Sequence, residues 1–73
     1  MRIQKGILSV IVPAFKQEKT IKRDLENIDA VLRAGLKEYD YEIICVVDGK
    51  IDKTFEQAQK SNSKKIKVFF YEE

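Results

Sequence analysis

Apolar residues recur along this chain in two different rhythms. Residues 7–13, ILSVIVP, form a nearly continuous apolar, β-branched run. Such a run reads as a strand buried on both faces, the habit of parallel sheets. Pro13 cannot donate to a ladder, so the strand is expected to stop there and residues 14–19 to form a polar loop. From Thr20 to Leu36 the rhythm changes. Ile21, Leu25, Ile28, Leu32 and Leu36 recur at spacings of four, three, four and four. At 3.6 residues per turn they share one stripe, with Lys22, Arg23, Glu26 and Arg33 on the other faces. This predicts an amphipathic helix, with Gly35 near its end, where a glycine can adopt positive φ. Residues 41–47, YEIICVV, return to the strand rhythm and end at the turn signal Asp48-Gly49. Asp40-Tyr41-Glu42, at the start of that run, reads as a turn. A short helix is expected over 52–61, with Asp52 or Thr54 near its N-terminus and Phe55 and Ala58 facing inward. Asn62 and Ser63 break it, and residues 65–71, KIKVFFY, read as a third strand.

The predicted order is βαβαβ. Strands joined by helical crossovers run parallel, and each crossover is right-handed. Sheet order 3-2-1 sends both helices to one face and leaves the other bare. Order 2-1-3 places them on opposite faces. In either case three apolar parallel strands look like half of a larger sheet. Residues 1–73 are therefore expected to be the first part of a longer domain, without an internal linker or second domain.

Composition narrows the chemistry. The 73 residues are 44% hydrophobic and 36% charged, a balance that suits a folded chain rather than a disordered one. There is no histidine and one cysteine, Cys45. That excludes an internal disulfide, a Ser-His-Asp triad and a Cys-His pair. Fourteen basic and twelve acidic residues give a net charge of +2, too weak to imply nucleic acid. The dense run Lys64, Lys65, Lys67 reads as a solvated strand start. No apolar stretch approaches the roughly 20 residues that span a bilayer, so no transmembrane segment is expected. The opening MRIQKGILSVIVPAF mimics a signal peptide, but no small-x-small cleavage site follows it. A lone cysteine in a strand fits a reducing, cytoplasmic setting.

Ligands of open parallel α/β sheets bind beyond the carboxyl ends of the strands. Two loops lie there, residues 14–18 and 48–52. Asp48 leaves an apolar strand directly into a turn, and folding the strand does not require a carboxylate there. It could accept hydrogen bonds from a base or sugar, or it could make an Asx-turn with Gly49. Spacing leaves both readings open. Asp48 and Asp52 could share a cation, although Asp52 reads better as a cap. The only glycines are Gly6, Gly35 and Gly49, which rules out the dinucleotide-binding G-x-G-x-x-G loop and the P-loop.

The same two loops carry a family resemblance. VIVPAFKQEKTI at 10–21 resembles the VIVPAYNEExxI opening of family 2 glycosyltransferases, and VVDGKIDKT at 46–54 resembles their VVDGSTDxT segment. The flavour is closest to the dolichol-phosphate mannosyltransferase-like branch, and the resemblance runs from about residue 7 to residue 73. It implies order 3-2-1 and the N-terminal half of a GT-A, Rossmann-like domain that binds a nucleotide-diphospho-sugar. Sugar would pass from that donor to an acceptor such as a polyprenyl phosphate. By the resemblance, Pro13, Ala14 and Phe15 form a wall against the nucleotide, with Phe15 in place of a tyrosine. Asp48 reads the base, and Gln17 takes the place of a nucleotide-contacting glutamate.

The departures fall in the same loops. Lys16 replaces asparagine, Gln17 replaces glutamate, and Lys50 and Ile51 replace Ser-Thr. The family's metal-binding D-x-D and its catalytic base lie further along than these motifs, and this sequence contains no D-x-D. A divalent metal, magnesium or manganese, is therefore expected only in a full-length relative. Nucleotide-sugar binding is expected to be weak and transfer absent in this chain alone. The partner expected at the bare sheet face is the rest of the domain or another chain. Two alternatives stand beside this reading: a non-catalytic module that pairs through that face, and an unrelated receiver-like domain with sheet order 2-1-3.

Overall fold

Five elements follow one another in the computed structural model, which describes residues 6–49 and 52–71. They are β1 (Ile7–Ala14), α1 (Ile21–Gly35), β2 (Asp40–Asp48), α2 (Thr54–Gln59) and β3 (Ile66–Tyr71). Lys50 and Ile51 lie outside the described residues. All strands are parallel, in the order β1-β2-β3. This is the expected 3-2-1 arrangement, and it removes the receiver-like alternative. Among the described residues no helix is long and apolar enough to cross a membrane.

Register sorts the side chains into two faces, because parallel partners point the same way. On one face lie Val10-Ile43-Ile66, Val12-Cys45-Val68 and Ala14-Val47-Phe70. Both helices pack there. The buried apolar residues are Ala14, Ile21, Leu25, Tyr41, Ile43, Cys45, Val47 and Ala58, with Phe55 packed against them. Phe55 and Phe70 meet edge to face, ring centroids 4.9 Å apart. Burial pushes the Cys45 thiol pKa up, so this cysteine acts as a small apolar core residue.

The opposite face carries Ile11-Ile44-Lys67 and Pro13-Val46-Phe69. Ile11 is 59% exposed and Phe69 54%, so this face is bare. Its two ends differ. At the amino end Lys65 pairs with Asp40 and Lys67 with Glu42, and the Ser9 hydroxyl donates to Glu42 at 2.5 Å. The carboxyl half carries an apolar patch around Ile11, Pro13, Val46 and Phe69, while at the amino end the exposed Ile7 stands among these charged pairs.

Several local expectations change. Asp40-Tyr41-Glu42 is strand, not turn, because its acids find Lys65, just before β3, and Lys67 on it, and Tyr41 turns into the core. β1 continues through Pro13 to Ala14. It is an edge strand, where the missing proline N–H need not interrupt pairing with β2. α2 is shorter than 52–61, and β3 begins at Ile66. The α2 N-cap is Lys53, which makes no side-chain cap bond. Gly35 ends α1 as an ordinary helical residue, and positive φ among the described glycines occurs at Gly49.

The α1 stripe also holds a surprise. Asp29 follows Leu25 by one turn and is only 2% exposed. The Tyr41 hydroxyl donates to its Oδ1 at 2.5 Å, and Arg33 binds the other oxygen. Burial pushes the Asp29 carboxyl pKa upward, but Tyr41 and Arg33 together outweigh it, and the group sits below its ordinary value. With the folded pKa depressed, the unfolded chain binds more protons as acid is added. The stabilisation is complete above the unfolded value of about 3.9 and is lost as pH falls through the folded one. Urea midpoints should hold from neutral pH to about pH 4 and then fall, and the acid limb should be shallower in Asp29→Asn. An acid limb unchanged by that substitution would assign it to the surface carboxylates instead.

Candidate functional site

The carboxyl ends of β1 and β2 lie side by side, with Ala14 level with Val47. The chain leaves them into the two loops whose composition stood out. Beside Asp48, β3 ends at its register partner Tyr71. The Gly49 N–H donates to the Tyr71 carbonyl at 2.7 Å, with Gly49 at φ 78°. A side chain at that φ is disfavoured, so the Asp-Gly pair meets a backbone requirement.

These strand ends enclose an open groove of about 470 Å³. It is lined by Pro13, Ala14, Phe15, Gln17 and Asp48, together with Ile11, Val46 and Tyr71. All five residues singled out in the sequence thus meet in one concavity. The other three were not foreseen. Ile11 and Val46 could have been found by alternation, since they share a face with Pro13 and Asp48 respectively. Tyr71 could not, because only the β2–β3 register brings it to Asp48. Asp48 is exposed at the groove, and among the described residues none donates a hydrogen bond to its carboxylate. The Asx-turn alternative would take its donor from Lys50, which lies outside the described residues.

The first loop is held tightly. Gln17 accepts the Phe15 N–H at its Oε1 at 3.1 Å, and its carbonyl receives Thr20 N–H at 3.0 Å and Ile21 N–H at 2.9 Å. Its own N–H donates to Thr54 Oγ1 at 2.7 Å. Gln17 therefore supports the loop backbone as well as lining the groove. Asp52 accepts both the Thr54 hydroxyl, at 2.5 Å, and the Thr54 N–H, at 2.9 Å. The hydroxyl contact first, and then the amide, hold the Asp52 carboxyl below its ordinary pKa.

A carboxylate open to a groove with apolar walls can accept hydrogen bonds from a flat, donor-edged ligand. The donor set does not fit a metal ion. Among the described residues no three of His, Cys, Asp and Glu stand together, and Asp52 is engaged by Thr54.

The fold and groove define a parallel α/β unit whose ligand-binding end lies beyond its strand termini, as in open sheets generally. The sequence model for glycosyl transferase family 2 matches residues 9–73, and the chain belongs to that family. Its βαβαβ order is that of the N-terminal half of a GT-A, Rossmann-like domain. Comparison with curated proteins and with solved structures finds no match.

Membership gives meaning to Lys16. It stands where the family motif has asparagine, and its φ is 52°. Asparagine tolerates this left-handed region better than residues with long side chains, which lose about 1–2 kcal/mol there. Lys16 Nζ lies 5.2 Å from the Phe15 ring centre, a contact worth about 0.5–1 kcal/mol at an exposed site. The backbone term is the larger. Lys16→Asn should therefore raise stability, by about 0.5–1 kcal/mol in chemical denaturation. A loss of stability would mean that the ring contact dominates.

Proposed function

We propose that the groove binds the nucleotide part of a nucleotide-diphospho-sugar. The observation that carries this reading is the convergence of Pro13, Ala14, Phe15, Gln17 and Asp48 on one concavity in a chain of this family. Asp48 accepts hydrogen bonds from the base, two from the donor edge of guanine and one from uracil. Pro13, Ala14 and Phe15 form an apolar wall beside it. The wording of the two motifs supports a donor site of the dolichol-phosphate mannosyltransferase-like kind, with a polyprenyl phosphate as acceptor. The residues of this chain supply binding rather than transfer, since the sequence has no D-x-D and no second carboxylate lines the described groove. The lone core cysteine, Cys45, supports a cytoplasmic setting.

Affinity should be low, because Gln17 brings an amide where the family places a carboxylate. Titration with GDP and UDP, followed by amide shifts, should show millimolar binding centred on Asp48 and Gly49. Asp48→Ala removes charge-assisted bonds of about 1.5–3 kcal/mol and should weaken GDP binding by roughly ten- to a hundredfold. Shifts confined to Lys64, Lys65 and Lys67 would mean unspecific phosphate attraction and would end this reading.

The bare sheet face favours a second reading, a module that pairs with another chain or with the rest of its domain. Ile11, Phe69 and Tyr71 are all exposed on that face. Patches of this kind mark interaction surfaces. Sedimentation of the chain should show self-association that Phe69→Lys suppresses. A clean monomer at high concentration would contradict it.

A further inference from the structure

We infer that Thr54 is a positioning residue for the groove, its hydroxyl strapping the first loop to the second. The functional meaning of this strap rests on the nucleotide reading above, while the strap itself is a matter of geometry. Thr54 is 1% exposed and lies 37 residues from Gln17 in sequence. Its single hydroxyl proton goes to Asp52 Oδ1 at 2.5 Å. An ionised carboxylate only accepts, so it dictates that direction and leaves the hydroxyl oxygen facing the Gln17 N–H, at 2.7 Å. Asp52 also receives the Thr54 N–H, which fixes the carboxylate relative to the residue it orients.

The contact acts on the groove through Gln17. Both polar ends of that residue are then committed. Its N–H goes to Thr54, and its side-chain oxygen receives the Phe15 N–H. Phe15 and Gln17 line the groove, whereas Thr54 and Asp52 do not. The hydroxyl thus sets where the wall stands relative to Asp48 without touching a ligand. The isolated amide would otherwise be left without a protein acceptor in a part-buried position.

Three variants separate positioning from bulk packing. Thr54→Val keeps the volume and removes the hydroxyl. Thr54→Ser keeps the hydroxyl, and Asp52→Asn keeps a side-chain oxygen that accepts. Amide hydrogen exchange on the full chain is the primary measurement. In Thr54→Val, exchange at Gln17 and Phe15 should quicken about tenfold, the scale of one lost part-buried hydrogen bond. The amides of Ile43 and Val47 in β2 should keep their protection. Thr54→Ser and Asp52→Asn should return Gln17 to within about threefold of the wild type. GDP affinity should fall with Thr54→Val and recover with Thr54→Ser. Unchanged Gln17 exchange in Thr54→Val overturns the strap. Equal quickening at Ile43 and Val47 also overturns it, because the hydroxyl would then serve only global stability. If Thr54→Val does not fold, failure of Thr54→Ser to protect Gln17 overturns it equally. Absence of GDP binding by the wild type ends the nucleotide reading, while local, serine-rescued loosening of Gln17 still upholds the strap.

Discussion

The handedness of the two crossovers is the constraint on which this structure rests. Parallel strand–helix–strand connections turn right-handed as a rule, and both connections here advance in the same direction from β1 through β2 to β3. Both helices must then lie on one face. β2, the central strand, provides the middle of the core through Tyr41, Ile43, Cys45 and Val47. Leu25 and Ile21 from α1 and Ala58 from α2 close over them. Each fully buried large aliphatic side chain contributes about 1.5–3 kcal/mol, so this single layer holds most of the stabilising burial. The opposite face follows from the same geometry and has no helix to cover it.

The sheet has two chemically different ends. At the amino end, acids on β2 meet Lys65 and Lys67 at the start of β3, and the buried Asp29 of α1 is held by Tyr41 from β2 and by the exposed Arg33. Isolated surface pairs such as Lys67–Glu42 add little stability, but they bring charge to that half of the bare face, beside the exposed Ile7. At the carboxyl end the strands give way to apolar side chains and the open Asp48 carboxylate. The apolar patch and the groove share Ile11, Pro13, Val46 and Tyr71 and form one surface. Whatever covers the face also borders the site.

Several side chains of the first loop depart from the motif that the sequence resembles, and the loop is nevertheless closed by its own hydrogen bonds. Lys16 takes a left-handed conformation suited to asparagine, and Gln17 supplies the oxygen that closes the turn onto Phe15. Either a glutamate or a glutamine can accept that N–H, so the backbone tolerates the exchange. Loss of the negative charge changes what the groove can offer a ligand.

Periodicity determined the elements. The stripe from Ile21 to Leu36 and the β-branched runs specify one helix and parallel strands, because each period admits only one way of burying apolar surface. The two motifs at the strand ends likewise mark Pro13, Ala14, Phe15, Gln17 and Asp48. The tertiary structure decided what depends on neighbours far apart in the chain. Nothing in the helical pattern singled out Asp29, to which Tyr41, twelve positions on, brings a hydroxyl. Asp40 and Glu42 looked like a turn until β3 set lysines beside them. Tyr71 joined the groove through strand register, and Thr54 reached Gln17 across 37 residues. Local sequence carries the propensity of a segment. A hydrogen-bond partner or a shared wall exists only once the strands have paired, and pairing sets their register.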